Sequence, residues 1–332
     1  HPSFKEVESS WRSLQFLVQR TDFGANIQVD VFQASKTDIL ENLREADSLE
    51  QSHFFRISYS EHYNTAGGKP YGAIIGNYKF DSGALDVEML SRVSEVAEAC
   101  HAPFIAGVDK SFFKVDSWKE FLEIPNLEPY LEGKAFAEWK GLREKSSSKY
   151  LGLAMPGFLL RQPYGPGGEQ AKDFSFSEEA SEADDYLWGN AAFAFTSNMV
   201  KSFADAGWVV NIHGGKNARG AVGDLPVANY DLAASDQLRI PCELALNDAQ
   251  SLEVSNCGFL DFVPYQNENV ACFFGCQSVK KPDVYATEEA TANARMETML
   301  AYLFPVSRVA HYLKSIQRDN LGSFGTPQSL KD

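Results

Sequence analysis

Apolar and polar positions along the chain alternate between two periods. Phe4, Val7, Trp11, Leu14 and Val18 recur at steps of three and four, the stripe of a helix. Ile27 to Val31 switches to strict period-two alternation, which predicts a half-buried strand. Thr37 or Asp38 then offers a cap for a helix carrying Ile39, Leu40 and Leu43 inward. Gly72 to Tyr78 reads as a strand, a helix follows from Asp86 with Val87, Leu90, Val93, Ala97 and Cys100 on one face, and Ala102 to Val108 is a short buried strand. Two helical stretches between Trp118 and Arg143 precede strand-like Tyr150 to Met155, which Pro156 stops. A helix over 189–206 ends at Gly207 and hands over to a strand at Trp208 to Ile212, and short strands fill 239–275.

The last tract has the fullest pattern. Met296, Met299, Leu300, Leu303, Val306, Val309, Ala310 and Leu313 predict one buried helix face. Arg308, His311, Lys314 and Arg318, three and four apart, predict a basic ridge on the other. Pro305 falls inside the pattern and is expected to kink or split the helix. The strand–helix–strand rhythm predicts an α/β fold, a mixed sheet flanked by helices with some parallel pairing. Residues 1–160 and 276–332 are expected to form its core. Residues 161–275 would be an inserted, smaller α/β outer domain, a size ordinary for a domain.

The 332 residues suffice for a large core, and the 44% hydrophobic and 23% charged composition is that of a globular chain. A net charge of -15 argues against nucleic acid and against anionic membrane as partners. No apolar run approaches the roughly 18 residues that span a bilayer. Five cysteines without a C-x-x-C fit buried thiols of a cytoplasmic protein better than a disulfide framework. Because the chain starts at His1 without Met, it is expected to be a fragment or a processed product. In an acidic protein, the basic ridge at Arg308, His311, Lys314 and Arg318 is the candidate interface, meeting an acidic surface on a partner or a symmetry copy. Residues 163–185, with the acidic run Glu178 to Asp185, read as an exposed excursion.

Reactive chemistry has little support. A phosphate loop needs a glycine with four residues between it and the Gly-Lys pair, and a hydroxyl after the lysine. Tyr63 and Pro70 occupy those places around Gly68-Lys69, and Val210 and Asn217 do so around Gly215-Lys216. There is no G-x-S-x-G elbow and no H-E-x-x-H, so no catalytic, cofactor or metal residue is assigned. The alternative from another class is a cytoplasmic α/β hydrolase-like enzyme around His213 and a nearby carboxylate, since His213 follows a strand and precedes two glycines.

A series of blocks in fixed order makes a more specific match. They are His1-Pro2-Ser3-Phe4, Trp11-Arg12-Ser13-Leu14, Pro70-Tyr71-Gly72, His101-Ala102-Pro103-Phe104-Ile105, Leu151-Gly152-Leu153, Pro163-Tyr164-Gly165 and Trp188-Gly189-Asn190-Ala191-Ala192. Pro241-Cys242-Glu243, Gly258-Phe259, Ala290 to Ala294 and Arg308 to Lys314 complete the series. Together they resemble the large subunit of the contractile sheath of bacterial type VI secretion systems, with Lys69 and Gly157 departing from the usual residues. The resemblance implies a cytoplasmic structural subunit, paired with a small sheath subunit as a heterodimer and stacked with further copies of itself in a helical sheath. That sheath would surround a tube of hexamers and be recycled by a AAA+ ATPase. The resemblance further implies that family members extend beyond both ends of this chain. Their amino-terminal helix would meet the ATPase, and their carboxy-terminal strands would build the inner sheath layer.

Overall fold

The computed structural model describes residues 1–165, 168–170, 175–180, 183–230 and 238–320. The expected excursion 163–185 and the end of the chain therefore lie partly outside the described residues.

Ten strands are described: β1 (Ile74–Phe80), β2 (Phe104–Val108), β3 (Leu151–Met155), β4 (Phe158–Arg161), β5 (Leu187–Gly189), β6 (Ala221–Val222), β7 (Ala228–Tyr230), β8 (Leu238–Ile240), β9 (Phe259–Pro264) and β10 (Ala271–Phe273). Six of them form one mixed sheet in the order β1-β2-β3-β9-β10-β6. The first four run parallel and the last two antiparallel. β2, β3 and β9 are buried throughout, as a sheet covered on both faces requires. Helices Ala84–Cys100 and Ala191–Ala206 flank it. The fold is the α/β class that the alternating pattern predicts.

The tract 161–275 supplies β6, β9 and β10 to this central sheet and helix Ala191–Ala206 to its flank. Outside the sheet lie the antiparallel ladders β4–β5 and β7–β8, packed on a second small cluster of Leu159, Tyr186, Trp188, Ala228 and Ile240.

An aromatic plug stiffens one end of the core. Phe112, Phe113, Trp139 and Phe259 are fully buried, and their ring centroids lie 4.9 Å (Phe112 to Trp139) to 5.4 Å (Trp139 to Phe259) apart. Gly152 sits where β3 is closest packed: a Cβ there would meet Ile105, Leu300 and Leu260 at 2.7, 2.9 and 3.0 Å.

Several local expectations are corrected. Ile27 and Val29 are half-buried between exposed neighbours, but Val31 is exposed and the stretch pairs with no strand among the described residues. The helix after it is capped by Ser35, whose hydroxyl accepts from the Asp38 amide while the Asp38 carboxylate accepts from the Ser35 amide. Gly207 does close helix Ala191–Ala206 in the left-handed region, φ 72°. Trp208 to Ile212 is not a strand, because side chains of the preceding helix take its polar groups. The Ser202 hydroxyl donates to the Trp208 carbonyl and accepts from the Val210 and Asn211 amides.

The last tract is two helices, Glu288–Glu297 and Leu300–Asp319. Their break is at Thr298-Met299, and Pro305 is absorbed inside the second helix. The junction is strapped to the chain after β10, with Leu300 N–H donating to Cys276 O at 2.8 Å and Ser278 N–H to Thr298 O at 2.9 Å. Those bonds give the chain a partner for its polar groups at the break. That is why the helix stops there.

Candidate assembly surfaces

Helix Leu300–Asp319 follows its sequence pattern in its first turn, where Leu300 and Leu303 are buried, and departs from it beyond. Leu300, Leu303, Phe304, Ser307 and His311 are buried, while Val306, Val309, Leu313 and Met296 are exposed. The basic ridge faces the chain itself. His311, 3% exposed, has Nε2 3.1 Å from the Cys100 carbonyl, and Lys314 Nζ donates to the Ala99 carbonyl at 3.2 Å. Both carbonyls belong to the end of helix Ala84–Cys100, where orphan C=O groups and the helix dipole favour cationic or donor groups. His101 ends that helix at φ 52°, and Tyr63 O–H donates to the same Cys100 carbonyl at 2.8 Å. Lys314 also stands over the Tyr59 and Tyr63 rings at 5.2 and 5.0 Å.

Arg318 donates to the carbonyls of His62, 2.7 Å, and Gly68, 3.0 Å. The Arg308 guanidinium lies over Tyr312 at 4.8 Å and Phe203 at 5.8 Å. Burial holds the His311 and His101 imidazoles down at about 4, and the ring centroids are 6.4 Å apart. All four expected interface residues are thus brought together, in contacts within the chain.

What faces outward on this helix is apolar: Tyr302, Val306, Val309, Tyr312, Leu313 and Ile316. Leu313 is 64% exposed. Helix Glu288–Glu297 beside it has no buried residue at all. A ten-residue helix that fully buries none of its side chains is marginal by itself.

The amino-terminal helix, Pro2–Gln19, also turns its stripe outward. Ser13 and Leu17 are buried, whereas Phe4, Val7, Trp11 and Val18 are exposed, Trp11 at 68%. A charged network fixes this orientation. Arg161, nearly buried on β4, donates to Glu8 at 2.7 and 2.9 Å and to Glu178 at 2.6 Å. Arg12 adds a 2.8 Å bond to Glu8, and Lys5 lies 3.1 Å from Glu178. Glu178, expected as a solvated loop residue, is instead a buried partner in this network. Burial opposes ionisation of Glu8 and Glu178, but the guanidinium contacts win and hold both below the usual carboxylate range.

The carboxyl ends of the parallel strands are the usual ligand address in α/β sheets. Here they are filled. Glu243 Oε2 accepts from the Gly157 amide at 2.9 Å, and Glu243 Oε1 lies 3.7 Å from Lys79 Nζ. Asn190 donates to Tyr78 O at 2.9 Å and packs against Gly107. His213 is half-buried in the loop before Gly214. Among the described residues no group of three or more His, Cys, Asp or Glu is placed to hold a metal ion. All five cysteines are buried free thiols. Burial pushes each thiol up, Cys100 and Cys276 to about 12, so none is a ready nucleophile. No helix among the described residues is long and apolar enough to cross a membrane.

What sequence reasoning missed is which face of each end helix turns outward. The signal was present in Ser9 and His311, polar residues placed where they reach carbonyls of other elements.

Residues 1–280 match the family model described as EvpB/VC_A0108, tail sheath N-terminal domain. Residues 289–332 match that described as EvpB/VC_A0108, tail sheath gpW/gp25-like domain. The boundary between the two matches falls just before the helix pair that carries the outward apolar face. The type VI secretion system sheath protein TssC1 of Pseudomonas aeruginosa is 37% identical over 330 residues, which are 98% of this chain and 66% of that relative. The chain thus spans just under two thirds of the relative's length. With two family models covering nearly its whole length in order, this chain belongs to the EvpB tail sheath family.

Proposed function

We propose that the chain is a structural subunit of a contractile, phage-tail-like sheath that propels an inner tube in type VI protein secretion. The observation that carries this reading is the pair of end helices whose outward faces are apolar while their charged residues are spent inside the chain. Exposed apolar surface on this scale marks a face built to be covered. Family membership and the likeness to TssC1 support the same reading. The filled strand ends and the raised thiols favour mechanical assembly over the hydrolase alternative around His213.

In this reading the chain works in the cytoplasm and pairs with a small sheath subunit. Further copies of itself form a helical sheath around inner-tube hexamers, and a AAA+ ATPase recycles the sheath through a segment outside this chain. The central sheet, to which 161–275 contributes β6, β9 and β10, would form the sheath's middle layer, with the ladders β4–β5 and β7–β8 towards its outside. Contraction needs no reaction centre: an extended and a contracted lattice of rigid bodies need differ by only a few kcal/mol per subunit.

Co-expression of the full-length chain with the small subunit, followed by pull-down and electron microscopy, tests the proposal. Tubes that require both chains are the expected result, with these 332 residues alone staying dispersed. Failure of the two chains to co-purify, with the large chain acting as a lone monomer, would overturn it.

A further inference from the structure

One stretch that alternates like a strand belongs to no ladder. Residues 27–34 carry no helix, turn or strand pairing, and among the described residues no backbone group of 27–33 makes a hydrogen bond. Beside this stretch lies an open edge of the central sheet, because β1 stands at the end of the strand order.

The direction of the peptide groups shows what that edge exposes. Ile74 N–H donates to Pro103 O, and Phe80 O accepts from Asp109 N–H, both on the β2 side. Successive residues of a strand turn their backbone groups to opposite edges, so Ile74, Gly76 and Phe80 face β2 while Ile75, Asn77 and Lys79 face outward.

Three contacts hold the stretch along this edge. Tyr78 O–H donates to Ala34 O at 2.7 Å. Lys36 Nζ donates to Lys79 O, one of the outward carbonyls, at 3.2 Å. Asp30 lies by the Tyr71 hydroxyl, which burial and that carboxylate push up. Positions 30, 34 and 36 thus run beside 71, 78 and 79, in the direction of β1. At about 3.3 Å per residue, Asp30 to Lys36 spans ~20 Å, enough to cover the ~17 Å from Ile74 to Lys79.

The topology points the same way. Helix Lys36–Glu45 leads from this stretch towards β1, and helix Ala84–Cys100 leads from β1 to β2. Two right-handed crossovers stepping in one direction across a sheet place their helices on one face. These two helices do pack together, with Arg92 of the second donating to Leu43 O of the first at 3.0 Å.

We propose that residues 27–34 are a strap that zips onto the outer edge of β1 as a seventh, parallel strand of the sheet. Zipping gives partners to the outward groups of Ile75 and Asn77. It also removes an edge on which a strand of another chain could add, a hazard for any subunit that stacks in many copies. The contacts at Ala34 and Lys36 serve as the hinge, so only the middle of the strap has to move. Closing exchanges bonds to water for bonds within the chain, a net change small enough for the strap to open and close.

Residue-resolved amide exchange of the full-length chain, alone and with the small subunit, tests the proposal. The Ile75 and Asn77 amides should exchange slower than free peptide by on the order of tenfold or more, alongside a slow Gly76. Val31→Pro and Phe32→Pro alter two exposed neighbours that face opposite edges, so one of them removes a donor aimed at β1. That variant should speed Ile75 or Asn77 by on the order of tenfold and leave Gly76 slow, showing that the sheet itself is intact. If both prolines also release Gly76, the unmodified chain decides alone. Slow Ile75 and Asn77 in the isolated chain then support the strap. Fast Ile75 and Asn77 beside a slow Gly76, with and without the small subunit, would overturn it. Protection that appears only with the small subunit and survives both prolines would also overturn it, by giving the edge to the other chain. So would protection in the isolated chain that neither proline disturbs.

Discussion

Asp261 carries the most quantitative prediction. It sits in β9, opposite Met155 of β3, with none of its surface exposed. The Ser251 hydroxyl donates to Oδ2, and Oδ1 has no hydrogen-bond partner. Burial pushes the carboxyl up from 3.8 to about 6, offset in part by Ser251 and by the nearby amide of Gly275. The difference, 6 − 3.8 = 2.2, corresponds to about 3 kcal/mol at about 1.36 kcal/mol per unit.

The sign follows from a folded value above the unfolded one. The stabilising contribution is fully present below about pH 3.8, is lost as pH rises through about 6, and is gone at neutral pH. Asp261→Asn keeps the shape and the bond to Ser251 but has no charge to bury. Thermal melts of both proteins between pH 4.5 and 8, at constant ionic strength, measure the gap. The variant should gain on the wild type as pH rises, by about 2 kcal/mol across this window, the first ~1 kcal/mol having accrued below pH 4.5. That is roughly 3 °C for a chain of this length at about 2 cal/mol/K per residue. A gap that stays constant from pH 4.5 to 8 would refute the reasoning, because the carboxyl would then not titrate in that window.

Arg161→Met should cost about 1–3 kcal/mol by removing the shared guanidinium and leaving Glu8 with Arg12 alone and Glu178 with Lys5 alone, and should raise amide exchange across 2–19; a neutral result would show that water replaces the guanidinium. Gly152→Ala should cost about 1–3 kcal/mol in urea unfolding, because the methyl has no room among Ile105, Leu260 and Leu300, and a neutral result would mean those side chains yield freely. His101 and His311 have folded values lowered to about 4, so the stability they lend is present above about 6.5 and is lost as pH falls towards 4. Exchange protection over 300–319 should therefore drop across that window in the wild type and drop less in His311→Gln; equal profiles would count against the histidine. Trp11→Gln should leave the melting temperature within about 1 °C yet reduce tube yield, whereas unchanged yield would remove this face from the assembly.

Much of the fold was legible from residue order. The alternation of period-two and helical stretches gives β1, β2, β3 and the helices between them, since burial on a sheet and on a helix imposes different spacings. The Gly207 stop was visible because a left-handed residue after a helix favours glycine. The candidate surfaces were legible only in part. Periodicity shows that Tyr302 to Ile316 forms a stripe, but a stripe carries no label saying whether it turns to its own core or to another chain.

The sequence by itself determined the helical and strand spacings, the acidic balance, the absence of a reactive motif and the family blocks, because each depends on residue type and short-range order. The tertiary structure alone decided which way the end helices face. His311 and Lys314 turn inward because the carbonyl end of helix Ala84–Cys100 lies there to receive them, and Glu8 turns inward because Arg161, more than 150 residues away, lies nearly buried beside it. Those are long-range electrostatic and hydrogen-bonding partners, and no local pattern contains them.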